Sequence, residues 1–186
     1  MQLNIPLVLT IGRVAVIPVV LGLFYLPFPY ARQFAALLFI AAAITDILDG
    51  YLARRWNQES AFGAFLDPVA DKLLVAVSLV MLLRDEPGGL LAVIVAIIIG
   101  REITISALRE WMAELGQRTS VAVNWVGKVK TICQLTAISM MLWQQPTFGI
   151  PIYMLGYALL LVAAGLTMYS MVIYLRAAWP VMRDSG

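Results

Sequence analysis

The chain has 186 residues, of which 62% are hydrophobic and 13% are charged, and its net charge is +2. Soluble domains are about 25% charged and about 45–50% apolar, so the composition indicates a membrane protein with one domain, residues 1–186, and no nucleic-acid partner. Histidine is absent and Cys133 is the only cysteine, which excludes Ser-His-Asp chemistry, histidine zinc sites and intrachain disulfides.

Six apolar segments are long enough to cross a bilayer, which takes about 20 mostly apolar residues in a helix. In chain order they are 8–28, 33–53, 65–83, 90–109, 121–143 and 152–175. Short connections rich in turn residues separate them. The sequence therefore predicts an all-α integral membrane protein with six transmembrane helices and no soluble domain.

The basic residues are distributed unevenly along this pattern. Six spans place both termini on one side of the membrane, and that side holds all Lys and Arg residues except Arg32 and Arg84. An excess of basic residues marks the cytoplasmic side. We therefore predict that both termini, and the connection between the second and third spans, face the cytoplasm.

Four aspartates concentrate around that connection. Asp46 and Asp49 lie near the end of the second span, and Asp67 and Asp71 lie near the start of the third. Residues three or four apart share one face of a helix, so each span presents two carboxylates on one face. Because one short loop joins the two span ends, all four carboxylates are predicted at the same depth.

Acidic side chains inside a membrane are costly and are functional by default. One isolated aspartate is more often paired with a neighbouring cation, but Arg54 and Lys72 cannot neutralise four. Carboxylate oxygens are the ligands that Mg²⁺, Mn²⁺ and Ca²⁺ prefer, and four can hold two ions about 4 Å apart for phosphoryl displacement. Gly50 and Ala53 leave room beside them for a bulky ligand.

The spacing of these residues resembles a known signature. The pattern Asp46-x-x-Asp49-Gly50-x-x-Ala53-Arg54, eight residues, then Gly63-x-x-x-Asp67-x-x-x-Asp71 is similar at every fixed position to that of the CDP-alcohol phosphotransferases. The segments "NIPLVLTIGR", "GREITISALREWMAELG" and "VNWVGKVKT" resemble the bacterial phosphatidylglycerophosphate synthases of that family.

The resemblance implies a six-helix enzyme of the bacterial cytoplasmic membrane, usually a homodimer, with two Mg²⁺ or Mn²⁺ ions and an active site facing the cytoplasm among membrane lipids. Its reaction would join CDP-diacylglycerol to sn-glycerol 3-phosphate, giving phosphatidylglycerophosphate and CMP. It also implies that Asp71 is the general base and borders the metal site, whose other ligands are Asp46, Asp49 and Asp67. The implied CDP-diacylglycerol pocket consists of Asp49, Gly50, Ala53, Arg54, Gly63 and Asp67.

The second substrate carries about two negative charges and needs cations to bind it. The candidates lie towards the cytoplasmic ends of the fourth and fifth spans and are Arg101, Arg109, Arg118, Lys128, Lys130 and Thr131. Arg109, Lys128 and Lys130 are favoured, since the glycerophosphate-specific members are the ones the chain resembles. Alternatively, these charges set topology alone, and Arg101 and Arg109 pair with Glu102 or Glu110.

Two questions stay open at this level. Asn4, Thr10 and Arg13 either cap a short interfacial helix or border the nucleotide. A transporter or proton channel would also place acids inside spans, although such proteins bind their ligands near the bilayer midplane. Within the family, an enzyme using inositol phosphate or serine is the alternative.

Overall fold

A computed structural model of the chain describes residues 5–56, 61–86, 88–116 and 125–184. Over these ranges the chain forms six α-helices and no β-strand, so the predicted all-α fold is confirmed. In chain order the helices are α1 (Ile5–Leu23), α2 (Ala31–Trp56), α3 (Ala61–Asp85), α4 (Gly89–Glu114), α5 (Trp125–Trp143) and α6 (Ile152–Asp184).

Most helix ends differ from the predicted spans by a few residues, and two of these differences have an identifiable cause. α1 ends at Leu23 rather than at residue 28, because Pro27 and Pro29 follow and a residue before proline disfavours helical backbone angles. After its last turn the hydrogen bonds join residues three apart instead of four, as between the amide of Tyr25 and the carbonyl of Gly22 at 3.0 Å. α6 continues past residue 175 to Asp184, and Ala178 in this extension is buried in a cluster with Met112 of α4.

One hydrophobic core joins the helices that carry the predicted site. Its largest fully buried side chains include Phe39 from α2, Leu79 from α3, Ile98 from α4 and Ile138 from α5. A second cluster joins α4 to α6 around Met112. Because both clusters contain α4, the position of that helix is fixed from two sides.

α5 and α6 cross most closely at Gly156. A Cβ atom at this position would lie 2.9 Å from the carbonyl oxygen of Ala137 and 2.9 Å from the Cβ of Met140. The backbone oxygen cannot move aside as a flexible side chain can. The glycine therefore permits the close approach of the two helices.

We expect Gly156→Ala to destabilise the fold by about 1–3 kcal/mol, the usual cost of overpacking a core. Thermal unfolding in detergent measures the effect, with Gly165→Ala as the matched control on the same helix. A Cβ at Gly165 meets nothing within 4 Å, so that variant should unfold at the wild-type temperature or slightly above it. Equal midpoints for the two variants would contradict the close crossing.

Within the described ranges, two helices meet the length and composition needed to cross a membrane, Gly89–Glu114 and Ile152–Arg183. The first helix contributes a shorter apolar segment, Val8–Leu23. Large apolar side chains also remain exposed on outward faces, such as Ile103 of α4 and Met154 of α6. These features fit a membrane-associated protein.

The end of α3 remote from Asp67 and Asp71 is held by its own polar contacts. Arg32 of α2 forms an ion pair with Asp85, and the hydroxyl of Tyr153 donates to Glu86 at 2.5 Å. Asp85 lies 14 residues after Asp71, about 21 Å along the helix. This end is therefore separate from the candidate site.

Candidate active site

A cavity of about 650 Å³ lies between α2, α3, α4 and α5. This volume is within the range of small-molecule sites. Its charged lining residues are Asp46, Asp71, Lys72, Arg101, Glu102, Arg109, Glu110 and Lys130. Its uncharged polar lining residues are Ser106, Thr131 and Gln134. The cavity thus brings two of the four predicted aspartates, Asp46 and Asp71, together with Arg101, Arg109 and Lys130, whereas Asp67 does not line it.

Two polar residues of α1 contact three of the four aspartates. Nη1 of Arg13 donates to Oδ1 of Asp46 at 2.6 Å and to Oδ1 of Asp71 at 2.9 Å. The hydroxyl of Thr10 donates to Oδ1 of Asp67 at 2.5 Å. Thr10 and Arg13 are only 1% and 2% exposed. Both residues therefore lie inside α1 and face the acids, rather than capping the start of a helix.

The carboxylates of Asp46 and Asp71 converge on one positive charge. Their oxygens contact the same guanidinium nitrogen of Arg13 from two different helices. Among the described side chains, no three acidic or cysteine residues are grouped to ligate one ion, and the carboxylate of Asp49 lies outside that description. Asp46 and Asp71 supply two carboxylates of the kind that Mg²⁺ and Mn²⁺ prefer as ligands, with the Arg13 guanidinium between them.

The basic wall of the cavity consists of Arg101, Arg109 and Lys130. Two of these residues bind one acid, Glu102. Lys130 of α5 donates to Oε1 of Glu102, and Nη1 of Arg101 donates to the same oxygen at 3.2 Å. Lys130 and Arg101 are both buried. Buried cations need a partner, and Glu102 provides it for two of them. The predicted alternative that Arg101 pairs with Glu102 is therefore confirmed, but the pair lies within the cavity wall.

A second layer of support comes from α6, which the sequence reasoning did not include. Nη2 of Arg109 donates to the hydroxyl of Tyr174 at 3.1 Å, and Nη2 of Arg101 donates to the hydroxyl of Ser170 at 3.1 Å. Both guanidinium groups lie over the ring of Tyr174, at 5.1 and 5.5 Å from its centre. Ser170 and Tyr174 are four residues apart, which places them on one face of α6. Two polar residues on one face of an apolar helix were the sequence signal that could have predicted a role for α6 in this site.

A hydrogen bond also joins α3, which carries Asp71, to α4, which carries Arg101 and Arg109. The ammonium group of Lys72, next to Asp71 in the chain, donates to the hydroxyl of Ser106 on α4. The sequence placed Lys72 among the aspartates as a partial countercharge. In the structure its ammonium group binds Ser106 on α4, and Arg13 is the cation that bridges Asp46 and Asp71.

The remaining predicted residues fall into two groups. Gly63, in the first turn of α3, and Lys128, exposed in the first turn of α5, are described but do not line the cavity. The structure describes only the helical backbone of Asp49, Gly50, Ala53 and Arg54. Asn4 and Arg118 lie outside the described residues.

Comparison with known proteins covers nearly the whole chain. Residues 3–176 match the family model of the CDP-alcohol phosphatidyltransferases. The chain is 54% identical over 178 residues to the CDP-diacylglycerol–glycerol-3-phosphate 3-phosphatidyltransferase of Salmonella typhimurium, covering 96% of each protein. It is 53% identical over the same length to the protein of that name from Escherichia coli K12, again covering 96% of each. The chain therefore belongs to the CDP-alcohol phosphatidyltransferase family.

Proposed function

We propose that this protein transfers the phosphatidyl group from CDP-diacylglycerol to sn-glycerol 3-phosphate, giving phosphatidylglycerophosphate and CMP. One observation carries the proposal: a single cavity has Asp46 and Asp71 on its α2–α3 wall and Arg101, Arg109 and Lys130 on its α4–α5 wall. The names of the relatives at 53–54% identity support the same reaction.

The basic wall would bind the phosphate of the acceptor. Arg101, Arg109 and Lys130 all line the cavity, and charge-assisted bonds to phosphate are about twice as strong as neutral ones. Glu102 and Tyr174 hold these groups in place before the acceptor arrives. Less conformational freedom is then lost on binding.

Asp71 would act as the general base. Its carboxylate would take the proton from the primary hydroxyl of glycerol 3-phosphate as that oxygen attacks the phosphatidyl phosphorus and the bond to CMP breaks. Nη1 of Arg13, on α1, donates to Oδ1 of Asp71 at 2.9 Å, and this bond orients the carboxylate. A base must lie within hydrogen-bond reach of the proton it removes. Asp71 lines the cavity that the acceptor hydroxyl would enter.

Asp46, Asp49, Asp67 and Asp71 would hold two divalent ions, Mg²⁺ or Mn²⁺, whose chemistry is to neutralise charge on the diphosphate and on the departing CMP. The CDP part of the donor would lie against Gly50, Ala53 and Arg54, which follow Asp49 along α2, and against Gly63, which precedes Asp67 on α3.

The two substrates meet in this site from different phases. We place all six helices across the bacterial cytoplasmic membrane with both termini in the cytoplasm, in a homodimer surrounded by lipid. The lipid diphosphate would then enter sideways from the bilayer, and glycerol 3-phosphate would enter from the cytoplasm. The distribution of basic residues supports this orientation.

A panel of acceptors tests the proposed reaction. Purified protein would be incubated with CDP-diacylglycerol, Mg²⁺ and, separately, sn-glycerol 3-phosphate, inositol phosphate, inositol and serine. Of the four acceptors, only glycerol 3-phosphate is expected to support CMP release. Release that depends instead on inositol phosphate or serine would assign the chain to another branch of its family.

Removal of divalent ions should abolish the reaction. Arg13 supplies one positive charge between Asp46 and Asp71, and we expect divalent ions to neutralise the further negative charge that the diphosphate brings. EDTA should therefore reduce CMP release to background, and added Mg²⁺ or Mn²⁺ should restore it, whereas Zn²⁺-specific chelation should have no effect. Full activity after exhaustive chelation would contradict the metal proposal.

A further inference from the structure

One buried polar side chain in the cavity wall has no role in the reaction described above. Gln134 of α5 is 4% exposed and lines the cavity. Among the described residues, its Oε1 atom is buried without a hydrogen-bond partner. An unsatisfied buried acceptor destabilises the fold, so each such group in a native structure needs an explanation.

The position of Gln134 relative to Lys130 supplies one. The two residues are four apart, so they lie on the same face of α5, one turn from each other. Lys130 is the residue assigned to the acceptor phosphate, and both side chains line the same cavity. Gln134 is therefore a candidate contact for the part of a ligand that adjoins a phosphate bound at Lys130.

In glycerol 3-phosphate those atoms carry a hydroxyl. The secondary hydroxyl is on the carbon next to the phosphate-bearing carbon, between the phosphate and the primary hydroxyl that attacks. A neutral amide can bind a hydroxyl beside a phosphate, whereas a carboxylate at that place would repel the phosphate. The chemistry of the amide thus matches the middle of the acceptor.

We propose that Gln134 is a specificity-determining residue that binds the secondary hydroxyl of the acceptor. This inference rests on the proposed function, since it names a contact of that same substrate. A site that bonds a substrate hydroxyl rejects analogues lacking it, because the buried polar group is then left unpaired.

Propane-1,3-diol monophosphate is the matched analogue, since it keeps the phosphate and the attacking hydroxyl and lacks only the secondary hydroxyl. CMP release gives kcat/KM for it and for glycerol 3-phosphate with the same purified full-length protein. The wild type should prefer glycerol 3-phosphate by about tenfold or more, and Gln134→Met should reduce this preference to about threefold or less, with the loss confined to glycerol 3-phosphate.

Gln33→Met is the control, because Gln33 is also a buried glutamine with an unpartnered Oε1 but does not line the cavity. It should keep the wild-type preference. The ratio of two kcat/KM values is independent of the fraction of folded enzyme, so partial unfolding of Gln134→Met would not imitate the effect.

Three results would overturn the inference. Gln134→Met could retain the preference, as it would if water alone satisfied the amide, or it could lower both kcat/KM values equally, as a packing defect would. Either result leaves the proposed function intact. A wild type that releases CMP with neither acceptor would remove the proposed function and this inference together.

Discussion

Asp71→Asn should lower kcat by about 10²–10⁴-fold, the usual contribution of a general base. The amide keeps the shape of the side chain and one oxygen toward Arg13, but it cannot accept the proton of the attacking hydroxyl. Asp67→Asn should instead weaken metal affinity, so extra Mg²⁺ should recover part of its rate. Steady-state kinetics with a Mg²⁺ titration of both variants in one detergent measures the difference.

Asp85→Asn is the matched control for this comparison. Asp85 is on the same helix and also pairs with an arginine, but it lies about 21 Å along α3 from Asp71. Its kcat should stay within about threefold of wild type, since it alters a partly exposed ion pair alone. The base assignment is wrong if excess Mg²⁺ rescues Asp71→Asn as well as it rescues Asp67→Asn.

Lys130→Ala should raise the KM for glycerol 3-phosphate by about tenfold to a hundredfold, with a much smaller change for CDP-diacylglycerol. Losing one charge-assisted contact to a phosphate costs about 1.5–3 kcal/mol. Lys130 is buried in the cavity wall at 3% exposure, where such a contact is poorly screened by solvent.

The neighbouring lysine separates this effect from a general loss of positive charge. Lys128 is exposed and does not line the cavity, so Lys128→Ala should change the KM for either substrate by less than about threefold. Equal increases in both KM values for Lys130→Ala would indicate a defect in folding or in the metal site rather than a lost phosphate contact.

The sequence predicted the helices well because apolar length determines them almost alone. The apolar segments between residues 33 and 109 correspond to α2, α3 and α4, each slightly extended in the structure. The ends of α1 and α6 differ from the predicted spans for different reasons, the first local in the sequence and the second a contact between distant residues. Pro27 and Pro29 shorten α1, a signal that was present in the sequence, whereas the extension of α6 depends on its packing against Met112 of α4.

The candidate site could be predicted in part. All four aspartates were expected to converge because one short connection joins their helices. The structure brings Asp46 and Asp71 into one cavity, whereas Asp67 contacts Thr10 and does not line the cavity. Their bridging by Arg13 could not be predicted, since it depends on how α1 packs against α2 and α3 and joins residues 33 and 58 positions apart. The contact of Tyr174 with Arg109 spans 65 positions and was missed for the same reason.

The most direct test of the proposed function is the stoichiometry of product formation. Purified protein would receive CDP-diacylglycerol, Mg²⁺ and radiolabelled sn-glycerol 3-phosphate, and CMP and label in extracted lipid would be followed together. We predict equimolar CMP and labelled phosphatidylglycerophosphate, both formed about 10²–10⁴-fold more slowly by Asp71→Asn. CMP release without incorporation of label into lipid would contradict phosphatidyl transfer to this acceptor.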